Sequence, residues 1–154
     1  MKKFSFLLIQ FLTLSQVIFI SACSKDNDNY EQNQDVQSPA TIEFLCSSVF
    51  WQYLPDEGVK VGEIYETFSF VRIGGKTTCT ITTEEKQKIG ESKEIETKKY
   101  SFVFNPPIVT LMDEGGNVKR TLTVYKLTRE NSFGEKWLLI DGKKYLGWLK
   151  GVDI

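Results

Sequence analysis

From residue 40 onward apolar and polar side chains alternate with a period of two, punctuated by glycine and proline at short intervals. Such alternation sends successive side chains to opposite faces of a strand, one face for a core and one for water. Residues 66–73 place Phe68 and Phe70 on one face, and Gly74-Gly75 then makes a two-residue hairpin turn whose central positions both need positive φ. Residues 76–83 return, with Cys79 and Ile81 on one face and Thr78, Thr80 and Thr82 on the other. Residues 100–104 repeat the aromatic alternation, and Asn105-Pro106-Pro107 interrupts it because proline cannot donate to a ladder. Residues 108–112 resume, Gly115-Gly116-Asn117 turns, and residues 118–128 form a long strand. The last hairpin runs through residues 136–140, an Asp141-Gly142 turn and residues 143–150. With a first strand through residues 41–53, the total is about eight antiparallel strands. The pattern predicts an all-β up-and-down barrel, with a two-sheet β-sandwich as the alternative.

Two stretches depart from this pattern. Residues 82–99 hold five Glu and five Lys, and a capping-box spacing at Thr82–Glu85 that Gly90 cuts short. They read as a solvated hairpin arm with a mobile tip rather than as a binding site. At the other end, Lys2-Lys3 precedes an apolar run through residues 4–20, broken by Gln10 and Gln16 and too short for the ~20 residues of a bilayer span. A cationic start followed by such a run is a signal-peptide pattern. The sequence Ile20-Ser21-Ala22-Cys23 at its end resembles the lipobox of bacterial lipoproteins, which implies cleavage before Cys23 and lipid on its thiol. Residues 24–28, Ser-Lys-Asp-Asn-Asp, resemble the acidic export signal of surface lipoproteins of the Bacteroidota. The expected organisation is a signal peptide over 1–22, a lipidated and flexible polar tether over 23–39, and one β-barrel domain over 40–154. The expected address is the outer membrane, lipid-anchored and surface-exposed, with the periplasmic face as the alternative.

Charge and composition narrow the chemistry. The chain has 154 residues, 19 Lys+Arg, 20 Asp+Glu and no histidine. A nearly cancelled charge supplies no field for nucleic acid, and the missing histidine removes the commonest zinc ligand and general base. Without residues 1–22 there remain 17 basic and 20 acidic residues, and the excess acid lies in the tether. Cys23, Cys46 and Cys79 form no CxxC motif. Outside the cytoplasm Cys46 and Cys79 are candidates for a disulfide, with two ordinary buried thiols as the alternative. Asp56-Glu57 and Asp113-Glu114 sit beside glycines and read as solvated turns rather than a glycosidase pair. Asp113–Asn117 lacks the EF-hand spacing, and Ser47-Ser48 lacks a nucleophile-elbow context. No catalytic residue, metal or cofactor is expected, and the chain reads as a binder rather than an enzyme.

The order of an early Trp strand (Cys46–Trp51), the Phe68/Phe70 strand, the 100–111 stretch and Thr121–Leu127 is similar to that of the small lipocalin-like lipoproteins of the Bacteroidota. The resemblance implies a barrel able to hold a small apolar or aromatic ligand, although the first strand has no Gly-x-Trp. Phe68, Phe70, Phe102, Phe104 and Trp137 are then the candidate pocket wall. If the interior is filled, the same rings are the core. The rival expectation is an interaction module that docks a protein or glycan through its loops.

Overall fold

A computed structural model describes residues 35–129 and 134–149. The expected signal peptide over 1–22, Cys23 and residues 24–34 of the expected tether lie outside the described residues. The elements are β1 (Val36–Pro39), α1 (Ile42–Leu45), β2 (Phe50–Tyr53), β3 (Ile64–Ile73), β4 (Lys76–Lys88), β5 (Glu91–Asn105), β6 (Ile108–Met112), β7 (Val118–Thr128), β8 (Lys136–Ile140) and β9 (Lys143–Trp148). Strands β2 to β9 pair in chain order, each antiparallel to the next, and β9 returns to β2 from Phe50↔Trp148 to Tyr53↔Tyr145. The fold is the expected all-β up-and-down barrel, closed by eight strands, and not the alternative sandwich. Its tight turns follow their residues. Gly74 and Gly75 have φ of 56° and 80°, and Asp141 and Gly142 have φ of 51° and 78°.

The alternation resolves into an apolar inside and a polar outside. Trp51, Phe68, Phe70, Cys79, Phe102, Val109, Leu111, Leu122, Val124, Leu138 and Tyr145 belong to one buried cluster. Along β3, β4 and β7 the intervening positions are largely Thr and Ser, while Val71, Val103 and Ile108 are apolar side chains exposed on the outside. A barrel that spans a bilayer has the opposite arrangement, an apolar band outside and a polar lumen. A smaller satellite cluster packs Leu127, Trp137 and Leu139 with Leu54, Tyr125 and Leu146.

The first expected strand, residues 41–53, is corrected by the structure. Thr41 caps a single helical turn, its Oγ1 accepting the Phe44 N–H at 3.1 Å, and only Phe50–Tyr53 is strand. The turn plugs one end of the barrel. Leu45 is fully buried in the main cluster, and its carbonyl accepts the Trp51 Nε1–H at 2.9 Å. The folded domain also begins earlier than residue 40, since Val36–Pro39 pairs with β7 from Val36↔Thr128 to Pro39↔Tyr125. The 82–99 stretch is the expected arm only in part, since Thr82–Glu85 stay in the wall, paired with β3 from Thr67↔Thr82 to Ile64↔Glu85. β4 and β5 continue past the barrel wall as a two-stranded ribbon, with Gly90 at its turn and Ile89 fully in water.

At the end opposite α1, Glu66 and Arg120 point inward from β3 and β7. Arg120 donates to both Glu66 oxygens at 2.7 and 2.9 Å, approaches Asp141 at 3.6 Å and lies over the Phe68 ring. The charged pair therefore closes this end over the aromatic core.

Candidate functional site

The barrel has one loose seam. β3 and β4 pair along the whole of β3, whereas β2 and β3 share a single ladder pair, Trp51↔Phe68. Two strands held at one point splay, and the outward side chains beside the gap sink instead of standing on a convex wall. Ser69 bridges the gap with its Oγ, donating to the Val49 carbonyl at 2.7 Å. The result is a groove of about 380 Å³ on the outer face of β9, β2, β3 and β4. That volume lies near the lower end of the ~300–1,000 Å³ of small-molecule sites.

Each strand contributes a different chemistry. Trp148 from β9 and Phe50 from β2 stand directly opposite one another, ring centroids 5.9 Å apart and 26° from parallel, and form an aromatic wall. The Trp148 Nε1–H donates to Gln52 Oε1 at 2.9 Å, which fixes the indole and leaves the Gln52 amide N–H groups as donors. Thr67 and Ser69 form the floor, and Thr80, Thr82 and Glu84 the far wall. Thr67 Oγ1 donates to Glu84 Oε2 at 2.9 Å, leaving Oε1 of Glu84 as an acceptor. All of these side chains are half-buried, reachable from water but held in place.

The expected pocket wall is distributed differently. Phe68, Phe70 and Phe102 do share the interior, but they pack on one another. Phe68 stacks on Phe70 at 6.1 Å, Phe70 meets Phe102 edge-on at 5.5 Å, and Tyr145 meets Phe68 at 5.3 Å. Phe104 packs at the margin of the same cluster. Trp137 is separate from all four, facing outward into the satellite cluster beneath the Arg129 guanidinium at 4.6 Å. It borders a depression of about 300 Å³ with Leu54, Pro55 and Asp56. A larger concavity of about 630 Å³ follows the β2–β3 loop, but it has no comparable stacked wall; its Lys60 ammonium lies 3.6 Å from Glu57, and the Lys60 backbone N–H donates to Glu63.

The candidate disulfide between Cys46 and Cys79 is not formed; both are free thiols, Cys79 buried and Cys46 partly so. Cys46 follows α1, and Cys79 faces the interior of β4 between its partners Phe70 and Tyr100. Burial pushes both thiols up, Cys79 to about 12, so neither is a ready nucleophile. Burial likewise raises the Tyr145 phenol. Asp113 serves its turn, as the glycines after it suggest. Its carboxylate takes the Lys119 ammonium and the Asn117 backbone N–H and is held down at about 2. Among the described residues no three His, Cys, Asp or Glu side chains are grouped to hold a metal ion.

None of the eight lining residues is among the pocket candidates expected from the sequence, and Thr82 and Glu84 come from the 82–99 stretch, which is not expected to form a binding site. One signal was present. Phe50 and Trp148 sit one position out of step with the core residues Trp51 and Tyr145, which puts two large rings on the water side of adjacent strands. No protein-family model, curated protein or solved structure matches this chain.

Proposed function

We propose that this chain is a lipid-anchored binding module of the cell envelope that carries its ligand on the outside of the barrel, in the groove over the β2–β3 seam. The observation that carries this reading is the Phe50–Trp148 pair. Two large rings stay half open to water, and Gln52 holds the indole in a fixed pose. Burial would stabilise the fold more than this arrangement does, and a preordered aromatic wall beside free donors and acceptors is what a ligand site requires. A carrier needs Phe68, Phe70 and Phe102 to stand apart around a space, and they instead fill it with one another. The lipobox at Cys23 supports the address, and the polar outer faces of the strands suit a domain held in water by its tether.

Three indole N–H groups make the reading testable, because each reports a different place. Trp51 donates to Leu45 inside the barrel, Trp137 to Glu135 in the satellite cluster, and Trp148 to Gln52 in the groove. The 15N-labelled full chain is titrated with 1-anilinonaphthalene-8-sulfonate and with a mixture of oligosaccharides. Shifts at Trp148 with Trp51 unmoved support the groove. Shifts at Trp51 alone restore the interior carrier, and no shift with either probe ends the reading. For the address, Cys23→Ala is expected to move the exported protein from the membrane fraction to the soluble one.

A further inference from the structure

We infer that the groove binds a neutral saccharide, one or two sugar rings of a chain passing over the seam; this rests on the groove being the ligand site. The inference comes from what the lining satisfies and what it leaves unsatisfied. A sugar ring has an apolar face of C–H groups and an edge of hydroxyls, each a donor and an acceptor. The Phe50–Trp148 wall offers an aromatic surface for the first. The second meets the Gln52 amide donors beside that wall and, across the groove, the Glu84 Oε1 acceptor, the Thr80 hydroxyl and the Thr82 hydroxyl, which accepts from Thr97 and keeps its own hydrogen to donate.

Other ligand classes fit worse. A wholly apolar ligand would cover Gln52 and Glu84 and leave their polar atoms without partners, which costs more than the contact returns. An anionic ligand would meet Glu84, and neither Lys nor Arg lines the groove. An extended peptide would have to enter between β2 and β3, where the Trp51↔Phe68 pair and the Ser69 Oγ–Val49 hydrogen bond already tie the two strands together. The groove lies on the outer face of the barrel, so the neighbours of a bound ring have the barrel surface to pass over. Hydrogen bonds already hold Trp148 and Glu84, so little side-chain freedom is lost on binding.

The test uses the full chain with neutral hexasaccharides (cello-, xylo-, malto-, manno- and chito-), polygalacturonate as the anionic probe and 1-anilinonaphthalene-8-sulfonate as the apolar one. Binding is followed by calorimetry and at the Trp148 indole. At least one neutral hexasaccharide is expected to bind. Trp148→Ala should weaken it about tenfold or more, and Glu84→Gln less. Thr80→Arg fills the groove from an outward position and should abolish binding with the unfolding midpoint unchanged, which separates blocked binding from lost folding. Binding of the apolar probe alone, abolished by Thr80→Arg, overturns the saccharide assignment and leaves the groove as a site. Polygalacturonate as the sole binder overturns neutrality in the same way. Binding that Thr80→Arg leaves intact, or no binding of any probe, overturns both the ligand and the groove.

Discussion

The Ser48 Oγ lies against Trp51 and Gly147, buried and without a hydrogen-bond partner among the described residues. A hydroxyl in that position loses its water and gains nothing, a cost of about 1–3 kcal/mol. Ser48→Ala is therefore expected to raise the unfolding free energy by about 1 kcal/mol in urea titration; a decrease would mean that the hydroxyl is satisfied after all. Its neighbour behaves in the opposite way. Gly147 pairs with Trp51, and a Cβ there would fall 2.6 Å from a carbon of the indole ring. The indole is pinned by the Leu45 carbonyl and cannot retreat. Gly147→Ala should cost about 1–3 kcal/mol through overpacking. Cys79 adds a pH effect. Its thiol titrates near 9 when unfolded and at about 12 when folded, so between those values the folded state keeps a proton that the unfolded chain has released. Stability is then fully present below about pH 9 and falls as pH rises. The phenol of Tyr145 shifts in the same direction for the same reason. Cys79→Ala lowers stability at neutral pH through its cavity, but the decline above pH 9 should be shallower than in the parent chain.

At the level of elements, α1 shows how four residues organise one end of the barrel. Thr41 starts the turn, Leu45 enters the core, and Trp51 then hangs from the Leu45 carbonyl. Thr41→Ala removes the cap and should cost about 1 kcal/mol, read as a lower urea midpoint. An unchanged midpoint would show that Leu45 burial alone holds the turn. The same segment marks the limit of what the sequence makes legible. Strands β3 to β9 announce themselves because two-residue alternation and obligatory turn residues agree, as at Phe68, Phe70, Gly74 and Gly75. A single helical turn is too short for a 3.6-residue period to show against strand-forming neighbours, and so 41–53 reads as strand. β1 is hidden for a different reason. Val36–Pro39 has the composition of a linker and becomes strand only because β7 offers it an edge. The groove depends on the splay of β2 from β3, a tertiary property with no local signature, although the outward phase of Phe50 and Trp148 could be counted from the sequence.

On the scale of the molecule, the point where the chain enters the barrel is held by four charges from distant segments. Asp35 just before β1 meets Arg129 at 3.3 Å and Lys144 at 2.7 Å, and both cations also reach Asp56 in the β2–β3 loop, at 3.2 and 2.6 Å. Single surface pairs contribute little, about 0–1 kcal/mol, but here each charge serves two partners, and the ladder beside them is only four residues long. Lys144 is on β9, four residues before Trp148, so the cluster also sets where the N-terminal segment leaves the barrel relative to the groove. The Lys144 hydrogen bond holds the Asp56 carboxyl below its usual range, and Asp35 and Asp56 hold the Lys144 ammonium above its own. Both directions favour the paired state. The Asp56 contribution is present above the ordinary carboxylate pKa and lost as pH falls through its lowered value, and the Lys144 contribution is lost only as pH rises past its raised one. Lys144→Met removes two of the four bridges without opening the core. Exchange of the β1 amides that face β7 should then accelerate about tenfold, while Val124 and Leu138 in the barrel remain protected. In the parent chain 1 M salt should accelerate the same β1 amides, since the screening length there is about 3 Å. If their exchange is the same in the variant, β1 is held by its ladder to β7 alone, and the charges do not fix where the N-terminal segment leaves the barrel.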